Sequence, residues 1–381
     1  MGCPKMMNFD KDSLVRFAMR DNNKLRPYLL VNPLQGKHMP VAPETALNMF
    51  NMLAKLLCDR YREEKLFLIG FAETATAIGA SVSVSCENVL YYIHTTRENV
   101  NGAHGYLNFS EVHSHASEQK LVLNNLEYFI KNTDRIIFVE DEVTTGNTIL
   151  NLISALQSRY GSLKKLNFGI LSILNSMSDK AISDFEKNGI SCMFIERIDN
   201  SKIINGLKKY KFDERLKKEV SFAKPNLQRL YISGMEDPRM GVCVQRYLKS
   251  CEKLSKELVN FIDNKNQIWK KILVLGTEEF MFPPLLFAYE LANKLGADIK
   301  FHASTRSPIL PSSSDGYPIK TRHGLKSVYE NERKTFIYNL ESYDAVIWIY
   351  DCIGNDEGIE SMCGALEGCG CKNIYAVRWG E

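Results

Sequence analysis

The chain has 381 residues, a length that exceeds one ordinary domain and predicts two. Hydrophobic residues make up 45% of the sequence and charged residues 24%, which is typical of a folded globular protein and excludes a largely disordered chain. Lys and Arg number 48 against 45 Asp and Glu, so the formal net charge of +3 indicates no nucleic-acid partner. The sequence contains no stretch of about eighteen apolar residues, so we expect no membrane span and no membrane partner.

The N-terminus and the cysteines bear on where the protein resides. The first five residues lack the apolar segment of a secretory signal, and Met6 occupies the position where a myristoylation motif has Ser or Thr. Ten cysteines are scattered through mostly apolar stretches, which favours reduced thiols over a disulfide framework. Cys363, Cys369 and Cys371 lack paired Cys-x-x-Cys spacing and indicate buried or free thiols rather than metal ligands. We therefore predict a cytoplasmic protein.

Taken in chain order, short apolar stretches alternate with segments of helical spacing. Apolar stretches predict buried strands at 66–70, 89–94, 135–139, 166–171 and 191–195. Helical spacing recurs at 46–57, 147–160 and 178–188. This alternation predicts a parallel α/β sheet covered on both faces, and ligands of such sheets bind beyond the carboxyl ends of the strands.

Residues 201–220 are rich in lysine and separate this series from a second one. A basic run invites a phosphate or nucleic-acid interpretation, but charge blocks are usually solvated faces, so we interpret it as a linker helix. Further apolar stretches predict strands at 271–276, 298–302, 345–349 and 373–377. We therefore expect one α/β domain at residues 1–220 and a second α/β domain at 221–381.

The most informative segment joins the third predicted strand to a helix. The apolar strand ends in Glu140 and Asp141. The turn that follows brings hydroxyls, a glycine and backbone amides to a helix N-terminus, through Thr144, Thr145, Gly146, Asn147 and Thr148. Such a turn can hold a phosphate, and the two carboxylates can accept hydrogen bonds from vicinal hydroxyls of the same ligand. A phosphate beside a diol describes a ribose 5-phosphate, whereas a Walker loop or a Gly-x-Gly-x-x-Gly motif fits the segment poorly.

Residues 139–148 resemble the phosphoribosyl-diphosphate (PRPP) motif of type I phosphoribosyltransferases, especially the orotate-phosphoribosyltransferase-like members. Glu142 departs from the family pattern, which usually has a hydrophobic residue there. The resemblance implies a type I phosphoribosyltransferase sheet, PRPP as substrate, Mg²⁺ as cofactor and an unidentified small-molecule acceptor, and it leaves a homodimer open. The alternative interpretation is a capped strand–turn–helix with incidental threonines.

Two further loops are similar to parts of the same family's site. The segment 70–79 resembles the loop that binds the leaving diphosphate, with Ala72, Glu73, Thr74 and Ala75 at its centre. Small residues at a helix start also serve packing, which is the alternative. The long polar segment 96–117 resembles the family's catalytic loop, in which Arg97 is the candidate cation for the diphosphate.

Three more polar residues are candidates for contacts with the substrates. Lys37, between Gly36 and His38, resembles the hood region that contacts the acceptor, and a surface turn is the alternative. His113 and His115 are two histidines without further ligand-type neighbours, which is poor evidence for a metal site. We therefore expect them to contact the diphosphate or the incoming nucleophile, and we expect no metal held by the protein alone.

The second half of the chain echoes the first. Three landmarks recur in the same order, Gly70 as Gly276, Arg97 as Arg306 and Asp141 as Asp351. The echo predicts a diverged internal duplication, and such a duplication requires the same strand order in both halves. Asp356 and Glu357 stand where the threonine-rich turn of the first half would recur, so the copy is expected to have lost its 5-phosphate site.

The tetrapeptide at 305–308, Thr-Arg-Ser-Pro, resembles the signature of the TRSP domain, which is typically fused behind an orotate-phosphoribosyltransferase-like domain. Proteins with this pairing are associated with bacterial tellurite-resistance and stress gene clusters, for which a nucleoside-like metabolite pathway has been proposed. Arg306, Glu278, Glu279 and Asp351 are expected at strand ends of the second domain, either as a second polar site or as capping groups.

Together these patterns predict a Mg²⁺- and PRPP-dependent phosphoribosyltransferase that moves ribose 5-phosphate onto a small, base-like acceptor and releases diphosphate. Catalysis would rest on positioning by Glu140, Asp141 and the loops, and on a cation clamp of Mg²⁺ and Arg97. Two alternatives remain open: release of a base from a nucleotide, and a non-catalytic PRPP-sensing regulator. The acids and the turn suit all three, whereas Arg97 and the 96–117 loop are needed only for leaving-group chemistry.

Overall fold

The structure is a computed structural model that describes residues 9, 11–21, 26–109, 119–163, 165–200, 206–220 and 226–381. Its helices in chain order are α1 (Lys11–Leu14), α2 (Pro43–Arg60), α3 (Thr76–Ser85), α4 (Leu126–Lys131), α5 (Asn147–Tyr160), α6 (Asp179–Lys187), α7 (Val244–Asp263), α8 (Phe282–Lys294) and α9 (Asp356–Gly368). Within this described part of the chain, no helix is long and apolar enough to cross a bilayer.

The strands follow the same numbering. Those of the first half are β1 (Arg16–Met19), β2 (Tyr28–Val31), β3 (Leu66–Gly70), β4 (Val89–His94), β5 (Tyr106–Phe109), β6 (Gln119–Val122), β7 (Arg135–Val143), β8 (Phe168–Asn175) and β9 (Ser191–Arg197). Those of the second half are β10 (Lys217–Lys218), β11 (Gln228–Ser233), β12 (Val242–Cys243), β13 (Lys271–Gly276), β14 (Asp298–Ala303), β15 (Arg322–Lys326), β16 (Lys334–Tyr338), β17 (Ala345–Tyr350) and β18 (Asn373–Gly380). The alternation of strands and helices confirms the predicted α/β class.

The chain forms two compact units, each built from separate segments. The described residues of unit 1 lie in 48–200 and 236–249, and those of unit 2 lie in 7–47, 201–235 and 250–381. The sequence predicted a contiguous division at residue 220 instead. The difference has a physical cause, because β12 pairs antiparallel with β4, Val242 opposite Tyr92. Pairing between such distant segments leaves no local signal in the sequence.

Unit 1 contains a six-stranded sheet in the order β12-β4-β3-β7-β8-β9. All its pairings are parallel except that of the short edge strand β12. Every residue of β3 and of β8 is buried, as expected for a parallel sheet covered on both faces. The chain runs from β3 to its neighbour β4 and then returns to β7 on the other side of β3. Ligands of open α/β sheets bind at such a reversal, beyond the carboxyl ends of the strands.

Unit 2 contains a five-stranded parallel sheet in the order β11-β18-β17-β13-β14. Its first strand in chain order after α7, β13, lies between the next strand, β14, and the later strand β17. Unit 1 has the same arrangement, with β3 between β4 and β7. The antiparallel hairpin β15–β16 follows β14, just as the hairpin β5–β6 follows β4. Four strands therefore have the same order in both units, β4-β3-β7-β8 and β14-β13-β17-β18, as the predicted duplication requires, whereas the outer strands β9, β11 and β12 have no counterpart in chain order.

One disulfide departs from the sequence expectation. Cys58 in α2 and Cys86 after α3 are bonded to one another, so the prediction that the thiols are reduced was wrong for this pair. Both residues belong to unit 1, and their separation of 28 residues in the sequence did not predict that they would be bonded. The cysteines near the C-terminus are free, and burial raises the pKa of the Cys363 thiol to about 12 and that of Cys369 to about 11.

Candidate functional site

The sequence predicted a phosphate site at the turn between β7 and α5, where a helix begins at Asn147. Gly146 occupies the N-cap position with φ of +76°, in the left-handed region that favours glycine. A Cβ at this position would lie 2.6 Å from the ring of Phe185, so the close approach also requires glycine. A glycine cap has no side chain to accept from the first-turn amides, and the Thr145 hydroxyl accepts from the backbone N–H of Asn147 at 3.3 Å. Thr144 and Thr148 are half-buried beside them.

The two acids lie in the sheet rather than in the turn. The prediction ended the strand at Val139, but β7 continues to Val143 because its distal residues pair with β8, Glu140 opposite Ser172. Side chains alternate along a strand, so Glu140 shares a face with Glu142 and Asp141 has the opposite face. The Glu142 carboxylate accepts from Ser176 at 3.4 Å, away from Asp141.

Asp141 contacts the loop predicted to bind diphosphate. Its carboxylate accepts a hydrogen bond from the Thr74 hydroxyl, with 2.7 Å between the two oxygens. Burial raises the pKa of Asp141, an effect that the Thr74 hydrogen bond offsets in part and the charge of Glu142 reinforces. Two segments 67 residues apart in sequence are thereby brought together at one edge of the sheet.

The predicted diphosphate loop follows β3 and precedes α3. Ala72, Glu73 and Ala75 are buried, and the peptide bond between Ala72 and Glu73 is cis. The backbone N–H of Phe71 donates to Val139 of β7 at 3.0 Å, and that of Ala75 donates to Phe71 at 3.0 Å. These bonds hold the loop tightly across the carboxyl ends of β3 and β7.

Two buried polar side chains hold the same loop and were missed at the sequence level. The Thr95 hydroxyl accepts from the backbone N–H of Ala72 at 2.8 Å. The Gln119 side-chain amide donates to the carbonyl of Ala72 at 2.9 Å, and its oxygen accepts from the Thr95 hydroxyl. The position of Thr95 directly after β4 was a usable signal, whereas nothing in the sequence around Gln119 marked it.

Arg97 lies at the same edge, three residues beyond the end of β4. Its neighbour Thr96 is tied to Lys120 by two backbone hydrogen bonds of 2.9 Å, which fixes the start of the predicted catalytic loop. Part of the predicted 96–117 loop is in fact strand, because Tyr106–Phe109 forms β5 of the hairpin. His113 and His115 lie outside the described residues.

The structure places Lys37 in unit 2, and neither sequence interpretation anticipated this. Its side chain is fully buried, and the ammonium group donates to the carbonyls of Glu278 and Ser304, the latter at 3.0 Å. A buried ammonium that donates to two carbonyls is a structural group, not an exposed contact on a surface turn.

The polar residues predicted at the strand ends of unit 2 form one network. Arg306 lies 3.6 Å from the carboxylates of both Glu278 and Glu279, and Arg333 lies 3.2 Å from Glu278. Asp351 accepts from the hydroxyl of Tyr329. Among the residues that the structure describes, no group of three or more His, Cys, Asp or Glu side chains is arranged to hold a metal ion.

Family models identify the class of the protein and then its family. Residues 14–200 match the model described as phosphoribosyl transferase, so the enzyme class is phosphoribosyltransferase. Residues 237–366 match the TRSP domain, described as C-terminal to that transferase. The chain belongs to the family in which this transferase is followed by a TRSP domain, as the sequence motifs predicted. No curated protein matches the sequence significantly.

Several solved structures are similar to part of the chain. Adenine phosphoribosyltransferase from Rhodothermus marinus is 11% identical, covers 49% of this chain and 94% of its own length, and has a TM-score of 0.34. The enzyme from Trypanosoma brucei, solved with AMP, pyrophosphate and ribose-5-phosphate, is 13% identical, covers 49% and 77%, and has a TM-score of 0.35. That from Leishmania tarentolae is 16% identical, covers 50% and 86%, and has a TM-score of 0.33. Because these values are low, the function proposed below rests on the family and on the chain's own geometry.

Proposed function

We propose that unit 1 binds PRPP and transfers its ribose 5-phosphate to a small, base-like acceptor with release of diphosphate. The observation that carries the proposal is the 2.7 Å hydrogen bond between Thr74 and Asp141. It joins the loop suited to a diphosphate to the acid suited to a ribose, and the turn at 144–148 follows on the same strand and helix. Three adjoining parts of one PRPP molecule thus each have a matching group.

In the proposed complex, the 5-phosphate binds at the N-terminus of α5, where the hydroxyls of Thr144, Thr145 and Thr148 and the first-turn amides favour an anion. The ribose hydroxyls donate to Asp141, the acid on the face of β7 that meets Thr74. The diphosphate binds at Glu73 and Thr74, whose amides are oriented because the flanking amides of Ala72 and Ala75 donate to Thr95 and Phe71. Preorganised donors of this kind stabilise developing charge without reorganising during the reaction.

Magnesium is implied by the family, and the residues present fit it. Mg²⁺ prefers carboxylate and phosphate oxygens in near-octahedral geometry and usually keeps several waters, so one or two carboxylates suffice beside a diphosphate. Asp141, whose carboxylate contacts the 72–75 loop, supplies such a carboxylate at the strand end. When bound, the ion neutralises the leaving diphosphate. Arg97, at the same edge of the sheet, adds a second positive charge.

The reaction requires the two substrates to be positioned and needs no nucleophilic side chain of the protein. The bond between C1 of the ribose and the diphosphate oxygen breaks, a bond from C1 to an acceptor nitrogen forms, and the proton leaves that nitrogen. Because the acceptor is itself the nucleophile, holding both reactants in line supplies much of the rate. We further propose a base-like acceptor and a nucleoside-like metabolite pathway linked to tellurite or stress resistance, as the sequence resemblance implies. A cytoplasmic location is proposed from the N-terminus and the scattered cysteines.

The test compares the wild type with Asp141→Asn and with a matched control, Asp184→Asn, whose side chain is exposed on α6. PRPP binding is measured by calorimetry with Mg²⁺, and small-molecule extracts are then screened by mass spectrometry for ribosylated products. We expect binding and products with the wild type and the control, and neither with Asp141→Asn. Equal PRPP affinity in Asp141→Asn would reject the site. PRPP binding without any product would instead support a non-catalytic sensor.

A further inference from the structure

We propose that Gln119 is a positioning residue that fixes the diphosphate loop, an inference that rests on the PRPP function proposed above. Gln119 is the first residue of β6 and is only 3% exposed. Its amide donates to the Ala72 carbonyl at 2.9 Å. The hydroxyl of Thr95 bridges the remaining groups, since it accepts from the Ala72 N–H at 2.8 Å and donates to the Gln119 oxygen.

These three hydrogen bonds link Ala72, Thr95 and Gln119 in a closed circuit. Both backbone polar groups of Ala72 are held by side chains from outside the loop, Thr95 after β4 and Gln119 on β6, which fixes the peptide planes on either side of it. Those planes set the direction of the next amides in the loop, which includes Glu73 and Thr74. A glutamine is suited to the position because its side chain donates to the carbonyl and accepts from Thr95 at the same time. An ionised glutamate accepts but does not donate, and leucine does neither.

The effect on ligands is selective. Displacement of the 72–75 loop removes donors from the diphosphate but leaves the turn at 144–148 in place. PRPP carries the diphosphate, whereas ribose 5-phosphate does not. Gln119 variants are therefore expected to weaken PRPP roughly tenfold or more, because misplaced binding groups are costly, while ribose 5-phosphate binds as before.

The experiment uses Gln119→Glu and Gln119→Leu, with Asn108→Asp as control. Gln119→Glu keeps the acceptor for Thr95 and loses the donor to Ala72, and Gln119→Leu loses both. Asn108 is exposed on β5 of the same hairpin, so its replacement makes the same amide-to-acid change away from the loop. Calorimetry with Mg²⁺ gives the Kd of PRPP and of ribose 5-phosphate, and the thermal midpoint reports folding.

We expect PRPP affinity to fall in both Gln119 variants, with unchanged ribose 5-phosphate affinity and an unchanged control. Thr95→Val, which removes the bridging hydroxyl with little change in shape, should reproduce the pattern if a Gln119 variant folds poorly. Equal loss of both ligands would mean a general structural role, and unaltered PRPP affinity would mean no role; either result overturns the proposal. If the wild type bound ribose 5-phosphate but not PRPP, the proposed function itself would fail.

A separate set of contacts supports a second inference, which is that unit 2 repeats the backbone contacts that surround the candidate site of unit 1. After β4, Thr96 forms a backbone bridge to Lys120 of the following hairpin. After β14, Thr305 forms the same antiparallel bridge to Phe336 of its own hairpin, with hydrogen bonds of 2.9 and 2.7 Å. These two threonines directly precede Arg97 and Arg306, which the sequence analysis matched to each other.

The loops after the first strands also match. In unit 1 the N–H of Ala72 donates to the hydroxyl of Thr95, and in unit 2 the N–H of Glu278 donates to the hydroxyl of Ser304 at 3.1 Å. In each case the donor lies two residues after the glycine that ends the strand. The shared sheet order and these shared contacts place the unit 2 network where unit 1 has its candidate site.

In unit 2, however, the start of α9 packs against and is bonded to the chain's own residues. A Cβ on Gly358 in α9 would lie 2.6 Å from the backbone oxygen of Ser327 and 2.8 Å from Val328, so no space separates the helix start from this segment. Asn355 caps the helix by accepting from the Gly358 N–H at 2.7 Å and donates to Ser327 at 2.7 Å. A first-turn amide that a phosphate would use is thus bonded to the side chain of Asn355, whereas Gly146, the N-cap in unit 1, has no side chain.

The other two parts of the site also have partners within the chain, as Asp141 has in Thr74, so the side-chain cap at the start of α9 is what distinguishes unit 2. Asp351, the counterpart of Asp141, accepts from the Tyr329 hydroxyl. In the loop after β13, the N–H groups of Thr277 and Phe280 donate to each other's carbonyls at 3.0 and 2.8 Å. We infer that unit 2 is a closed copy of the transferase fold and that each chain binds one PRPP, in unit 1; this too rests on the proposed function.

The stoichiometry of PRPP binding tests the closed copy. Calorimetric titration of the wild type with PRPP and Mg²⁺ should give one site per chain, and Asp351→Asn should give the same value. Asp141→Asn should give no binding. Two sites per chain, or binding that survives in Asp141→Asn and disappears when Asp351→Asn is added, would overturn the inference. A wild type that binds no PRPP would instead reject the proposed function.

Discussion

Replacement of Gly146 by alanine tests both the architecture of the phosphate turn and its function. The position has φ of +76°, and an added Cβ would approach the Phe185 ring to 2.6 Å and the Met177 sulfur to 3.3 Å. Phe185 is itself buried in the core of unit 1, so its ring has little room to retreat. We expect Gly146→Ala to destabilise unit 1 and to weaken ribose 5-phosphate binding.

The magnitude can be worked out from two contributions. A left-handed backbone costs alanine about 1–2 kcal/mol relative to glycine, and a crowded core position adds about 1–3 kcal/mol. Alanine also makes the unfolded chain less flexible, which raises the free energy of unfolding by about 0.4–1 kcal/mol. The free energy of unfolding should therefore fall by about 1–4.6 kcal/mol, from the sum of these contributions.

A matched control separates strain from crowding. Gly189, after α6, has φ of +74° and no atom within 4 Å of an added Cβ. Gly189→Ala thus has the backbone cost without the contact, and it should lose about 1–3 kcal/mol less stability than Gly146→Ala. It should also leave ribose 5-phosphate affinity unchanged.

The stability of the two alanine variants has to be measured by a signal that includes unit 1. All three tryptophans, Trp269, Trp348 and Trp379, belong to unit 2, so fluorescence follows that unit, whereas circular dichroism during urea unfolding follows both. The reasoning would be refuted if the two alanine variants lost the same stability, because the contact with Phe185 would then not limit the space at 146. Unaltered ribose 5-phosphate affinity in Gly146→Ala would argue against the phosphate role.

Three other variants have definite expected outcomes. Asp141→Asn should raise the thermal midpoint at neutral pH, because burial raises the folded-state pKa of Asp141 and so disfavours its charged form. The protonated carboxyl stabilises the fold at low pH, and this stability is lost as the pH rises through the raised pKa. The advantage of the variant should thus disappear on acidification, and a midpoint difference independent of pH would contradict this. Arg97→Ala should lower the turnover number while the Kd of ribose 5-phosphate stays the same, as kinetics and calorimetry can show; unchanged turnover would remove Arg97 from the mechanism. Lys37→Met should lower the stability of unit 2 by about 1–3 kcal/mol in tryptophan fluorescence, because the carbonyls of Glu278 and Ser304 lose their donor.

The strands and the phosphate turn could be predicted because their signals are local. A buried parallel strand is a short apolar run, and the turn at 144–148 combines hydroxyls, a glycine and a helix start within five residues. The extent of β7 could not be predicted, because Glu140, Asp141 and Glu142 look like loop residues. They continue the strand since β8 offers a partner, Glu142 opposite Leu174, and such pairing is not visible in one segment.

The errors have a common origin in contacts between distant segments. Lys37 looks like a surface residue by its type, yet two carbonyls more than 240 residues later accept its hydrogen bonds. Gln119 carries no motif, and its importance appears only with Ala72 and Thr95 beside it. The pairing of Cys58 with Cys86 requires knowing that two helices bring the sulfurs together. Sequence patterns identify what a residue is suited to, and the fold determines which of those uses is realised.

The interleaved composition of the two units bears on how a gene for such a protein can change. A break at residue 220 would separate β12 from β4, and it would also remove the segment whose Val41 bridges Phe301 in unit 2. Neither fragment would keep all the strands of its unit. Recombination that shuffles whole domains between genes is therefore penalised here, and the two halves are expected to be inherited, lost and replaced as a single block.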